Sequence, residues 1–148
     1  MLTPGLYTQA VLDHYRAPRN FGALAAPTHA ADGANPLCGD ALRIELRCKD
    51  GRIAEMRFRG EACAIAKAAA SMLSELAVDR SAGELAGLEQ VFISLVGGRI
   101  SGDDQLGGLN AMRELANHPV RQKCALLPFA TLRAALAGLD SATTEESN

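Results

Sequence analysis

No apolar run in this chain approaches the roughly 20 residues that a bilayer-spanning helix needs, so a helical membrane span is not expected. The start of the chain lacks the basic stretch and apolar core of a secretory signal, and the expected location is the cytoplasm. Charge of one sign is equally scarce. Fifteen Lys and Arg stand against 17 Asp and Glu, a formal charge of -2, and the basic residues are scattered rather than massed, so nucleic acid is not expected as a partner. No internal repeat and no CxxC pair is present, and the gaps between the four cysteines match no zinc-ribbon pattern.

What is present is a chain of 148 residues with 48% apolar side chains, enough for one domain with a core that needs no disulfide staples. We expect that domain over residues 1–140, followed by a disordered polar tail over 141–148. In a reducing compartment the four cysteines read as metal ligands, reactive thiols or core fillers rather than as two disulfides.

Thr3 and Pro4 resemble a helix cap followed by a first-turn proline, and Leu6, Tyr7, Val11, Leu12 and Tyr15 then recur at helical intervals. The segment from Arg19 to Pro36 reads as a connection with an edge strand near Pro27 to Ala31. Leu42, Ile44, Leu46 and Cys48 alternate with charged residues, which predicts a half-buried strand. Asp50-Gly51 predicts a hairpin turn into a second strand over 52–59, where Ala54, Met56 and Phe58 share a face and Ile53 breaks the alternation. An Ala-rich helix follows, lined by Ile65, Ala69, Met72, Leu73 and Leu76. Ser81 and Glu84 form a capping-box pattern for a helix that stops at Gly97-Gly98. A polar loop leads to a helix carrying Leu109, Met112 and Leu115, and a last helix is expected from near Cys124 to Leu139, with Pro128 in its first turn. The whole is an α+β fold: a small antiparallel sheet of about three strands packed against several α-helices.

Cys38 and Asp40 are separated only by Gly39, and in extended backbone they project to the same side, where they can share an ion. A hard carboxylate beside a soft thiolate is a mixture that zinc accepts. Cys63 falls where a strand gives way to a helix, Cys124 near an expected helix start, and both settings favour thiolate; Lys67, one turn on, would add to that at Cys63. Cys48 is too far along its strand from Cys38 to share an ion and reads as a core residue. His14, His29 and His118 are isolated and read as surface or helix-end residues. Spacing alone leaves open whether Cys38, Cys63 and Cys124 share one site.

Four ordered segments bear on that question: DHYRAPRN from Asp13 to Asn20, NPLCGD from Asn35 to Asp40, FRGEACAIAKAAASML from Phe58 to Leu73, and KCALL from Lys123 to Leu127. Through them the chain resembles the U-type iron–sulfur assembly family, which includes IscU, SufU and the amino-terminal domain of NifU. The resemblance runs from Leu6 to about Leu139 and implies a SufE/NifU-like fold. It implies three functional thiols at Cys38, Cys63 and Cys124 with Asp40 as the accompanying carboxylate, holding zinc or, alternatively, an iron–sulfur cluster. It assigns nothing to Cys48. The scaffold branch has His before its third cysteine and an LPPVK-like motif upstream, whereas Lys123 and the run NHPVRQ stand here. That difference, and the Gly-rich stretch between Phe92 and Cys124, resemble the SufU branch. The implied activity is zinc-dependent sulfurtransfer, with Cys38 accepting persulfide sulfur from a SufS-like cysteine desulfurase and passing it to a SufBCD-like complex. Scaffolding of a transient cluster and a purely structural zinc domain are the alternatives. Ala62 replaces a usual Gly, and were that position at positive φ the turn before Cys63 would be strained. Lys67 and Pro128 are also unusual for the family.

Overall fold

The computed structural model describes residues 5–144. The expected cap at Thr3 and Pro4 lies outside them, and the first helix, α1, runs from Gln9 to Arg16 with Thr8 as its cap, its side chain accepting from the Val11 N–H. Strands β1 (His29–Asn35), β2 (Asp40–Lys49) and β3 (Arg52–Glu61) form an antiparallel meander, and β4 (Ser141–Thr143) adds to β1 in parallel, giving the order β3-β2-β1-β4. The expected fold class therefore holds with a fourth strand. β1 is longer than expected and is no edge over its central residues. The reason is β4: its residues, expected as a disordered tail, pair with Asp32 to Ala34 and cover hydrogen-bonding groups that an edge would leave open. Residues 145–148 lie outside the described segment.

Ile53 breaks the alternation because the register shifts there. Arg47 pairs with Glu55 and Cys48 with Ile53, so Ala54 is the extra residue of a bulge, which turns Ala54 outward and Ile53 into the core. The other edge, β3, is met by the segment before β1: the Gly22 N–H donates to Phe58 O and the Phe58 N–H to Asn20 O.

Helices α2 (Ala64–Ala77) and α4 (Pro119–Leu136) lie on the inner face of the sheet, with α1 against α2 and α3 (Ala82–Val96) against α4. The abundance of Ala and Ser in α2 fits its position, because all but a few of its residues are buried and small side chains allow neighbours on several sides. The Ser81–Glu84 capping box of α3 forms as expected, with both of its hydrogen bonds. The segment Asp104–Asn117, expected as an α-helix, is a 3-10 helix broken at Gly107. Its buried residues Leu106, Leu109, Met112 and Leu115 are spaced by three, the interval at which side chains eclipse in a 3-10 helix.

The last helix starts earlier than expected, at Pro119, where a proline suits the first turn. Pro128 is consequently in its interior, contrary to expectation, at a cost of about 3 kcal/mol that its burial among α4's inward residues helps to offset. Leu139 falls beyond the end of α4 and is exposed.

Candidate metal centre

Asn35 and Asp40 are the last facing pair of the β1–β2 ladder, so residues 36–39 are forced into a tight turn. The turn is closed by Cys38 N–H donating to Asn35 O and Gly39 N–H to Pro36 O, and Gly39 has φ +74°, which only glycine adopts freely. Cys38 is therefore not on extended backbone as expected, yet its thiol still meets Asp40. Ligand atoms of Cys38, Asp40 and Cys124 lie within 4.8 Å of one another. Cys38 Sγ is 3.2 Å from Cys124 Sγ, which α4 delivers from the opposite side.

Cys63, the cap of α2, lies beside this group through Asp40, outside the three whose ligand atoms are all within 4.8 Å. Its Sγ accepts from the Ala66 N–H at 3.5 Å, its own N–H donates to Asp40 Oδ1 at 2.8 Å, and its Sγ is 4.0 Å from Asp40 Oδ2. The structure thus draws Cys38, Asp40, Cys63 and Cys124 into one neighbourhood. Cys48 sits at the far end of β2, partly buried against the core. His14 instead contacts Ser71 Oγ at 2.7 Å, His29 contacts Thr28 Oγ1, and His118 begins α4.

The thiols are unequal. A hydrogen bond from Cys124, together with the Ala66 N–H, brings the Cys63 thiol down to about 7 against the opposing effect of burial. Cys124 moves the other way, because it donates to Cys63 and is buried. The expectation of a thiolate-favouring helix start at Cys124 fails because it is the sixth residue of α4, beyond the N-terminal turn. Lys67 is not among the groups that shift Cys63: its Nζ lies 4.8 Å above the Phe21 ring centroid and 5.5 Å from that of Tyr15, a cation–π arrangement. Ala62 is not at positive φ, so no strain arises there.

Two further residues reach the group. Asn35, wholly buried, donates from Nδ2 to Asp40 Oδ2 at 3.3 Å and to Cys124 Sγ at 3.6 Å. Arg121 places Nη1 at 3.9 Å from both Cys38 Sγ and Cys124 Sγ, and the bond to Cys124 raises its pKa. Three sulfurs and a carboxylate suit tetrahedral zinc. With bonds of about 2.3 Å, two bound sulfurs stand about 3.8 Å apart. Cys38 and Cys124, at 3.2 Å, therefore need only a side-chain adjustment to fit.

A family model described as the NifU-like N terminal domain matches residues 6–143. The chain belongs to this family. The zinc-dependent sulfurtransferase SufU of Bacillus subtilis is 31% identical over 133 residues, which cover 89% of this chain and 90% of its own. The iron-sulfur cluster assembly scaffold protein IscU of Thermotoga maritima is 29% identical over 131 residues, 88% of this chain and 92% of its own. The N-terminal part of a NifU-like protein from Brucella abortus, at 18% identity, superposes with a TM-score of 0.84 over 91% of this chain and 94% of its own, and shows the fold. This NifU-like domain is thus of the SufU/IscU type found in iron–sulfur cluster assembly, and its Cys38, Asp40 and Cys124 form a group able to hold a metal. None of the helices among the described residues is long and apolar enough to cross a membrane.

Proposed function

We propose that this NifU-like domain is a SufU-like zinc-dependent sulfurtransferase, in which Cys38 accepts persulfide sulfur from a SufS-like cysteine desulfurase and passes it to a SufBCD-like complex in the cytoplasm. The observation that carries this reading is the unequal anchoring of the four donors. Asp40 is gripped by the Asn35 side chain and the Cys63 N–H, Cys63 by the Ala66 N–H, and Cys124 is buried within α4. Cys38 rests on a glycine-bearing turn, and its sulfur contacts the side chains of Cys124 and Arg121. It is the donor most readily released. Lys123 before Cys124 and the likeness to a SufU support the same branch.

Zinc, when bound, would be held by Cys38, Asp40, Cys63 and Cys124 and would keep the thiols deprotonated at neutral pH. Cys38, the least anchored of the four, would be the thiol presented to the docked desulfurase. The Cys38 thiolate then attacks the outer sulfur of the donor persulfide, a new S–S bond forms, the donor S–S bond breaks, and its electron pair leaves on the donor cysteine as thiolate. No net oxidation is required. Arg121, beside both Cys38 and Cys124, supplies positive charge next to the attacking Cys38 thiolate.

The test is Cys38→Ser in zinc-loaded protein with its cognate desulfurase. Loss of sulfur acceptance and of desulfurase stimulation is expected; undiminished acceptance removes Cys38 from the role. The convergence of three sulfurs also suits a scaffold that assembles a [2Fe–2S] or [4Fe–4S] cluster as cargo, as the likeness to an IscU accords with. Visible absorption after reconstitution and transfer of an intact cluster to an apo-protein would favour that reading. If zinc only stabilised an interaction domain, chelation would lower stability while the loaded protein accepted no sulfur.

A further inference from the structure

Among the described residues, Asn35 is the one with no exposure to solvent that hydrogen-bonds to two of the four candidate donors without being one of them, and nothing in its own chemistry makes it a ligand of choice for zinc. Its position follows from the hairpin. As the strand partner of Asp40, it projects its side chain to the same face as that carboxylate, at the distance of neighbouring cross-strand residues. From there Nδ2 spans Asp40 Oδ2 on the sheet and Cys124 Sγ on α4. The amide can be oriented in only one sense. Reversed, it would set a carbonyl oxygen against the Asp40 carboxylate, so the N–H group faces the donors and the carbonyl faces the interior.

That orientation leaves Asn35 Oδ1 buried with no hydrogen-bond partner. An orphaned buried acceptor costs about 1–3 kcal/mol. An apolar side chain of similar size would fill the same space without that cost, so packing alone does not account for an amide here. What the amide adds is a pair of N–H donors directed at the Asp40 carboxylate and the Cys124 sulfur, which come from different elements.

We infer that Asn35 is a positioning residue that clamps Asp40 and Cys124 into the fixed half of the metal site, so that Cys38 alone is free to take up sulfur. The clamp acts in two ways. Its N–H bonds fix the orientation of the Asp40 carboxylate and the Cys124 thiolate toward the shared ion, as outer partners of metal ligands do. The N–H···S bond also withdraws charge from Cys124 sulfur and so makes it a poorer nucleophile than Cys38, whose sulfur has no buried amide against it. The second effect rests on the sulfurtransferase reading; the first does not.

The experiment compares Asn35→Asp, which keeps the shape and removes the donor, with Asn35→Ala, which removes the amide. Zinc affinity is measured by competition with a chromophoric chelator, and the sulfur acceptor is located by peptide mass spectrometry after reaction with the persulfide-loaded desulfurase. The expected results are zinc binding weakened about 10- to 100-fold in both variants and persulfide on Cys124 as well as on Cys38, where the parent protein carries it on Cys38 alone. Melting of the metal-free proteins separates positioning from folding. Zinc affinity within twofold of the parent in either variant overturns the inference, as does loss of a cooperative melt in both, which would assign Asn35 to the fold. If the parent accepts no persulfide at any cysteine, the sulfurtransferase reading fails, while the zinc affinities still decide whether Asn35 clamps the site.

Discussion

Replacing Gly33 by Ala should pry the two halves of the site apart without touching any of its donors. Gly33 is in β1, two residues before Asn35, and lies directly beneath α4. A Cβ there would stand 1.9 Å from Thr131 Oγ1, 3.0 Å from Thr131 Cβ and 3.2 Å from Leu127 Cδ1. Ordinary contact begins near 3.4 Å, so the gap between strand and helix must open by about 1.5 Å or Thr131 must turn away. Thr131 is not free to do so. It is fully buried and its hydroxyl donates to Leu127 O at 2.8 Å. Turning it would strand that hydroxyl at about 1–3 kcal/mol, and overpacking without rotation costs a similar 1–3 kcal/mol. Gly33 is not at positive φ, so Ala regains about 0.4–1 kcal/mol through the unfolded chain. The net loss should be about 1–2 kcal/mol, read as a shift of the denaturant midpoint in metal-free protein. Zinc affinity should fall as well, because α4 carries Cys124 while the β1–β2 hairpin carries Cys38 and Asp40. Thr131→Ala in the same chain removes the nearest atom, and a coupling of about 1–2 kcal/mol should return most of the loss. A Gly33→Ala protein with the parent's midpoint, or no recovery in the double variant, would refute the packing argument.

Cys63→Ser should keep the metal-free stability within about 0.5 kcal/mol, since Ser is a preferred helix cap, whereas Cys63→Ala should lose about 1 kcal/mol; both should bind zinc at least tenfold more weakly by chelator competition. In metal-free protein, iodoacetamide modification of Cys63 should rise with pH through a midpoint near 7, because the bond from Cys124 favours its thiolate; a midpoint at the ordinary thiol value would contradict that cause. Glu45 is held down to about 2, first by Arg59, with the Leu24 N–H and Arg43 adding to it. A lowered folded value means stability that is complete above the ordinary 4.5 and lost as pH falls toward 2. The full gap is worth about 3.4 kcal/mol, but both arginines are more than a third exposed, so Glu45→Gln should lose about 1–2 kcal/mol at pH 7 and converge with the parent near pH 2 in acid titrations of stability. Cys48→Ser should leave zinc affinity and sulfur acceptance unchanged, tested in the same assays.

The β2–β3 hairpin, the Ala-rich α2 and the capped α3 were legible because each carries a local signal: alternation on both sides of Asp50-Gly51, interrupted only at Ile53, helical recurrence, and Ser81 with Glu84. The misreadings came where a local rule met a non-local partner. Ser141 to Thr143 has no strand pattern of its own and becomes a strand because β1 offers it open hydrogen-bonding groups. The last helix starts at Pro119 and not near Cys124, and that single difference takes Pro128 out of the first turn and Cys124 away from the helix start. The spacing of Leu106, Leu109, Met112 and Leu115 by three did distinguish a 3-10 helix from an α-helix, and was there to be used.

The site shows the same division. The four proposed donors are read from the sequence mainly by family resemblance, since positions 38, 63 and 124 share no short spacing. Asn35 escaped, though it had a signal, as Arg121 had. A turn over Pro36 to Gly39 makes Asn35 face Asp40, and on a helix that begins at Pro119 Arg121 lies one turn from Cys124. Cys38, Asp40 and Asn35 share one hairpin, and Cys63 is tied to it through its N–H bond to Asp40. Cys124 comes from α4, 86 residues from Cys38 in sequence. The register of α4 on β1 therefore decides whether the fourth donor meets the other three, and that register is set at Gly33, where the absence of a Cβ lets the helix descend onto the strand.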